Sequence, residues 1–142
     1  MRGARAGCRL ALMARVLLLL LLFLALLLEL VLTVGAFGYP AFTLAQLGVR
    51  YGPETAFLGY LLAWCLLFVS LVVALAFWQV AQRKAYHPVL CYLLGFWWIG
   101  IGVGIFVAFG RPENLLLDSA KGLLLVLLTW RSDATRRALR RY

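Results

Sequence analysis

The stretch "VLLLLLLFLALLLELVLTVGAF", residues 16–37, decides the fold class of this chain. It contains a single ionisable side chain, Glu29, in an otherwise apolar run. A helix needs about 20 predominantly apolar residues to cross the hydrocarbon core of a bilayer, which is about 30 Å thick. The stretch therefore predicts a membrane-spanning helix. It also raises the question of what a glutamate does there, since an ionisable group inside a bilayer is costly.

The composition of the whole chain is also that of a membrane protein. The 142 residues are 65% hydrophobic and 13% charged, with a mean hydropathy of +0.98, whereas soluble domains are closer to half apolar and a quarter charged. The formal net charge is +9. The basic residues flank apolar runs instead of sharing one polar face, which argues against a nucleic-acid partner and is typical of topology signals. The expected surroundings are a lipid bilayer.

Four segments are long and apolar enough to span it. The predicted spans are residues 16–37, 55–81, 88–109 and 112–130, the last two opened by prolines that suit the first position of a helix. Residues 38–54 form the predicted extracytoplasmic connection, whose middle favours a short interfacial helix, and residues 131–142 form a basic cytoplasmic tail. The sequence thus predicts an all-α integral membrane protein, one domain over residues 1–142, with four transmembrane helices in an antiparallel up-down bundle.

The basic residues also predict the orientation. Most of the 14 lysines and arginines lie before the first span, between the second and third spans, or after the fourth span. The positive-inside rule then puts both termini in the cytoplasm, and we expect a multi-pass protein of a bacterial inner (plasma) membrane. A cleavable signal peptide is the competing interpretation, because Val34 and Ala36 have cleavage-like spacing. The apolar run exceeds the usual h-region of about 7–15 residues, which favours a span.

Apart from Glu113 at the very start of the fourth span, three charged residues remain inside the predicted spans: Glu29, Asp118 and Lys121. Each costs about 2.5–3.5 kcal/mol at the centre of a helix. From a rise of about 1.5 Å per residue, Glu29 lies about 21 Å above Arg15 and Asp118 about 20 Å above Arg131. Asp118 and Lys121 also share one face of a helix at i,i+3 spacing. The sequence predicts that the three form one intramembrane charge cluster.

Two interpretations of this cluster are open. In the structural one, the three charges form a buried triad that fixes the register of the helices. In the functional one, a carboxylate is left over once Lys121 is neutralised, and it binds a proton or a cationic substrate.

Indole side chains near the middle of the spans are the second unusual feature. An indole N–H at that depth needs a hydrogen-bond acceptor. These tryptophans either fill space between helices or line a cavity that, with Glu29, would suit an organic cation. The candidate cavity-lining residues are Thr33, Trp64, Trp97, Trp98 and Asn114.

Glycine and cysteine positions add two further expectations. Gly100 and Gly104 have the GxxxG spacing that lets helices approach closely, and packing within the bundle is favoured over a homodimer face. Cys8, Cys65 and Cys91 have neither metal-ligand nor redox-pair spacing. We expect no metal and no cofactor.

One resemblance concerns the third span. "WIGIG", residues 98–102, together with a glutamate in the first of four spans, resembles the pattern of small multidrug resistance transporters. The chain departs from that pattern in its long first connection, its basic leader and tail, and its charged fourth span. The resemblance covers a handful of residues and assigns no family.

Three functions are compatible with these features. The first is a non-enzymatic bundle that assembles or stabilises a membrane complex, as a homo-oligomer or with a partner membrane subunit. The second is a proton- or cation-coupled carrier of a small organic compound, cationic or aromatic, that uses Glu29. The third is a membrane enzyme without a recognisable motif, and against it the sequence shows no Ser/His/Asp set and no paired histidine ligands. The first hypothesis is preferred, because only one acid and the indoles near mid-membrane support the handling of a substrate.

Overall fold

The computed structural model describes the backbone of residues 2–82 and 87–139, and the side chains of residues 12–82 and 88–133. The described chain is all-helical, as the sequence predicts. It forms five helices: α1 (Arg2–Gly38), α2 (Pro40–Gln46), α3 (Ala56–Ala81), α4 (His87–Phe109) and α5 (Pro112–Leu139). Three of them contain segments long and apolar enough to cross a membrane, Leu12–Gly38, Ala56–Ala81 and Pro88–Phe109.

The helices are longer at both ends of the chain than the predicted spans. The first begins at Arg2 and the last continues to Leu139, because the flanking segments are rich in alanine, leucine and arginine, which favour helix. At about 1.5 Å per residue, α1 is about 55 Å long, more than a bilayer core needs. The predicted tail is therefore helical through Leu139. Residues 140–142 and the side chain of Cys8 lie outside the described part.

Prolines and glycines mark the helix boundaries. Pro40 and Pro112 are the first residues of α2 and α5, where a missing N–H is harmless. Gly110 has a φ of 66°, and its N–H donates to the carbonyl of Phe106 at 2.8 Å. This residue, with its left-handed backbone conformation, ends α4. Only Arg111 separates it from α5, so the two helices form an antiparallel pair.

The four long helices pack in the order α4, α5, α1 and α3, and α3 meets α4 only along a short stretch. No backbone approach joins α1 and α4 within the described chain. Trp98, which is 2% exposed and one of the largest buried side chains, fills the space between them. The core around it is formed by Leu18, Leu22, Ala25, Val69, Val73, Ala76, Val80, Cys91, Leu94 and Leu125.

The outer surface of the long helices is apolar. Soluble proteins rarely expose large contiguous apolar patches, whereas this chain exposes many large hydrophobic side chains on every long helix. On α5 the exposed set is Leu116, Leu117, Leu123, Leu124, Leu127 and Trp130. Together with the three candidate spans, this surface identifies the chain as a membrane protein.

Candidate functional site

Glu29 lies on the inner face of α1 and is only 4% exposed. Its Oε1 atom accepts two hydrogen bonds, from Lys121 Nζ at 3.0 Å and from Trp98 Nε1 at 3.1 Å. The donors come from α5 and α4, so a single carboxylate oxygen links three helices. A buried charge requires such partners, because water is no longer there to solvate it.

Lys121 is the centre of the cluster. Its Nζ atom lies 3.0 Å from Glu29 Oε1 and 3.0 Å from Asp118 Oδ1. The same ammonium group lies 4.3 Å from the centroid of the Trp98 ring, close enough for a cation–π interaction. Trp98 therefore contributes to the cluster twice, through its N–H to Glu29 and through its ring to Lys121.

Asp118 occupies the edge of the cluster. It precedes Lys121 by three residues on α5, and its side chain is 23% exposed, against 5% for Glu29 and 12% for Lys121. With both carboxylates and the ammonium ionised, the formal charge of the group is −1. The more accessible of the two acids is thus Asp118 and not Glu29.

A second branch of polar contacts leads from α1 to α3. Thr33 Oγ1 donates to the backbone carbonyl of Glu29 at 2.6 Å and lies 3.2 Å from Ser70 Oγ. Ser70 Oγ donates to the carbonyl of Leu66 at 2.9 Å. A hydroxyl has one hydrogen, so the contact between the hydroxyls becomes a bond whenever one of them turns away from its carbonyl. Both residues are buried.

These contacts define the polar network: Glu29, Thr33, Ser70, Trp98, Asp118 and Lys121. It contains at least one residue of each of the four long helices. Arg15 makes a further link at the other end of α1, where its Nη2 atom donates to the carbonyls of Val80 and Ala81 at 3.3 and 2.8 Å.

Ser70 is the member of the network that sequence reasoning did not identify. Its signal was available, since it is an isolated hydroxyl in the apolar run that becomes α3. A single serine can bond to the carbonyl four residues before it on its own helix. For that reason its presence in a span does not by itself indicate a partner.

The predicted cavity lining does not form one site in the structure. Trp64 is 62% exposed and its ring meets that of Phe37 edge-on at 5.6 Å, and Trp97 is half exposed on the outside of α4. Of these tryptophans only Trp98 contacts Glu29 among the described residues. The reason is rotational: successive residues of a helix are about 100° apart, so Trp97 and Trp98 point to different sides. Trp64 and Trp97 are therefore not grouped around Glu29 in the structure.

The other two candidate lining residues have different positions. Thr33 belongs to the network, but as a link between helices rather than as the wall of a cavity. Asn114 is half buried on α5, one turn before Asp118. Trp97 instead lines a wholly apolar cleft of about 370 Å³ between α3 and α4. The other residues of the cleft are Phe68, Val69, Val72, Leu90, Leu93 and Leu94.

The glycines that pack closely are not the predicted pair. A Cβ atom at Gly100 or Gly104 would meet nothing within 4 Å, so the prediction that these two pack within the bundle is wrong. At Gly95 a Cβ would come within 2.6 Å of Val126 Cγ2, and at Gly102 within 2.8 Å of Ser119 Oγ. At Gly122 it would overlap the Gly95 carbonyl. The spacing GxxxG does not specify which side of a helix has a neighbour, and here α5 lies on the other side.

The chemistry available to the network is that of charge and hydrogen bonding. Within the described residues, no group of three or more His, Cys, Asp or Glu side chains could hold a metal ion. The two carboxylates share one ammonium, which keeps them together while leaving one negative charge uncompensated. The arrangement can join helices, exchange a proton or attract a cation.

Comparison of the chain with protein-family models, curated proteins and solved structures gave no match.

Proposed function

We propose that this chain is a non-enzymatic, four-span protein of a bacterial inner membrane that assembles or stabilises a membrane complex. In this proposal both termini are cytoplasmic, and the polar network holds the bundle in the form that its partners contact. The lipid bilayer is its solvent, and the partner is a membrane subunit or further copies of the chain.

The position of α5 supports a fourth span. The three charges in its first three turns, Glu113, Asp118 and Lys121, set it apart from the three apolar candidates. However, α5 packs against α4 over several turns, with Gly122 beside Gly95 and Ser119 beside Gly102. A helix paired in this way with a membrane-spanning helix lies at the same depth. Its outward face is rich in leucine, and its two deep charges, Asp118 and Lys121, lie 3.0 Å from each other.

The distribution of charge supports the proposed orientation. Arg50 and Arg111 are the only basic residues in the two connections assigned to the outside, and each has an acidic residue nearby in sequence. Arg111 lies 3.6 Å from Glu113 in the structure. The remaining basic residues outside the spans flank the cytoplasmic ends.

The observation that carries the structural role is the complete engagement of Glu29 Oε1. It accepts from Lys121 and from Trp98, so the acid connects three helices of its own chain. A carrier that protonated Glu29, on either carboxylate oxygen, would remove the negative charge that pairs with the buried Lys121 ammonium. Breaking a buried ion pair on one side costs about 3–5 kcal/mol, which favours the structural assignment of Glu29.

The experiment that separates assembly from transport compares Glu29→Gln with Glu113→Gln. The two variants remove the same charge, but Glu113 is exposed near the start of α5. Each protein is expressed in membranes, extracted in mild detergent and sized by native electrophoresis. Proton release on addition of tetraphenylphosphonium, an aromatic organic cation, is measured in parallel on the purified proteins.

The structural proposal expects Glu29→Gln to lower the amount of assembled protein several-fold, with Glu113→Gln unchanged and no cation-linked proton release in any of the three proteins. The opposite result would support the carrier. In that case Glu29→Gln assembles normally but releases no proton on addition of the cation, whereas wild type and Glu113→Gln do.

A further inference from the structure

The polar network has one charge that its own helices do not balance. Lys121 contacts both Glu29 and Asp118, so one ammonium serves two carboxylates. Glu29 has Trp98 as a second donor, whereas the contacts of Asp118 include no second cation among the described residues. Of the two carboxylates, Asp118 is therefore the one with fewer hydrogen-bond partners in its own chain among the described residues.

Asp118 also has the most accessible side chain of the three charged residues. Its side chain is 23% exposed, and the adjacent Leu117 is 69% exposed. From Pro112, the first residue of α5, Asp118 is about 9 Å along the helix axis, within the hydrocarbon region if α5 spans the bilayer. A partly exposed carboxylate at such a depth, which shares its one ammonium with Glu29, is costly unless a further positive charge approaches it.

We propose that the face of α5 around Asp118 receives a transmembrane helix of a different protein, one with an arginine or lysine at the depth of Asp118. This inference rests on the proposed role in a membrane complex and specifies its partner. The surface has one acidic side chain among leucines. A transmembrane helix with one basic side chain among apolar residues is complementary to it in charge and in hydropathy.

A second copy of the chain fits this surface less well. A two-fold dimer brings the same patch of both chains together, so that two Asp118 carboxylates would face each other. The predicted spans contain a single basic residue, Lys121, and it is already shared between Glu29 and Asp118 of its own chain. The base must come from another protein.

The test uses the full-length protein in lipid vesicles and a synthetic transmembrane helix as probe. The probe is a polyleucine peptide with one arginine about 9 Å from its end, and the control peptide has leucine at that position. Binding is measured by energy transfer between a label at the C terminus of the protein and a label on the peptide. The proteins compared are wild type, Asp118→Asn, Asp118→Glu and the control Glu113→Gln.

The proposal expects the arginine peptide to bind wild type about threefold to thirtyfold more tightly than the leucine peptide, the range typical of polar contacts between membrane helices. Asp118→Glu and Glu113→Gln should keep this preference and Asp118→Asn should lose it. Equal binding of both peptides to wild type overturns the proposal, and that comparison decides the matter even if Asp118→Asn does not fold.

Two further outcomes also count against the proposal. One is an undiminished preference in a folded Asp118→Asn protein. The other is energy transfer between two labelled copies of the chain. If the arginine peptide does not reduce this transfer and Asp118→Asn abolishes it, a second copy of the chain occupies the surface. The broader role is tested separately, by the size of wild type extracted from its own membranes. A single-chain size would contradict the complex without affecting the peptide result.

Discussion

Trp98 on α4 donates its indole N–H to the Glu29 carboxylate on α1 at 3.1 Å. The backbones of α1 and α4 do not approach each other within the described chain. The bond joins helices on opposite sides of the core, and the same indole ring lies 4.3 Å from the Lys121 ammonium. One side chain thus satisfies the buried acid and shields the buried base. The stability of the bundle should depend on it more than on any other tryptophan of the chain.

Trp98→Phe removes the N–H together with part of a buried ring. Phenylalanine keeps a ring near Lys121 but leaves Glu29 with one donor fewer, and the loss of a buried partner costs about 1–3 kcal/mol. We expect the free energy of unfolding, measured by denaturant titration in detergent micelles, to fall by at least this amount, because the smaller ring also leaves a cavity. Trp97→Phe is the matched control, since Trp97 is half exposed and lies beside it in sequence. Equal effects of the two variants would contradict the assignment.

Close packing of α4 on α5 makes a second prediction. Gly95→Ala places a methyl group against Val126 and the Gly122 carbonyl, and overpacking of this kind costs about 1–3 kcal/mol. Gly104→Ala has open space and should be neutral or slightly stabilising, because alanine is the better helix former by about 1 kcal/mol.

The same pair of variants also tests the outward GxxxG face. Thermal unfolding in micelles measures the stability of each variant, and native electrophoresis measures its oligomeric state. A Gly104→Ala variant that destabilises the single chain as strongly as Gly95→Ala would contradict the packing described here. A change in oligomeric state alone would show that Gly100 and Gly104 contact another chain.

Ser70 should make a smaller contribution than the charged residues. Ser70→Ala removes the contact to Thr33 together with a bond within α3, and polar contacts between membrane helices average about 0.6 kcal/mol. We expect a loss of about that size, with the hydroxyl of Thr33 still bonded to the Glu29 carbonyl. A loss above about 2 kcal/mol would show that Ser70 has a larger role in the network than a weak link between α1 and α3.

The orientation of the chain is tested by labelling. A cysteine in place of Tyr51, which is nearly half exposed in the first connection, should react with an impermeant maleimide added to intact cells. A cysteine at Tyr142 should react only after the membrane is opened. Both are placed in a variant that lacks the native cysteines. Labelling of the tail from outside would refute cytoplasmic termini.

Much of the helical structure follows from hydropathy, because long apolar runs can satisfy their backbone only as helices in a membrane. The positions of charged residues along their helices are also predictable, because they follow from the rise per residue. Counting residues placed Glu29, Asp118 and Lys121 at similar depths, and the structure brings their side chains within 3.0 Å through Lys121.

Rotation about the helix axis could not be predicted in the same way. Whether Trp97 or Trp98 faces the core depends on which helix packs against α4. The local sequence does not determine which helix that is. Gly100 and Gly104 illustrate the same limit, because their spacing is suitable for close packing but no helix of the described chain lies opposite them. The contact between Ser70 and Thr33 likewise depends on the pairing of α1 with α3, which is a property of the whole bundle.

The central claim is that Glu29 and Lys121 stabilise the bundle through each other. A double-mutant cycle with Glu29→Gln, Lys121→Gln and the combined variant, by unfolding in micelles, measures this interaction directly. We predict a coupling of about 0.5–3 kcal/mol, with the double variant more stable than the sum of the single losses implies. Losses that add to within about 0.5 kcal/mol would contradict the claim, because independent residues behave in that way.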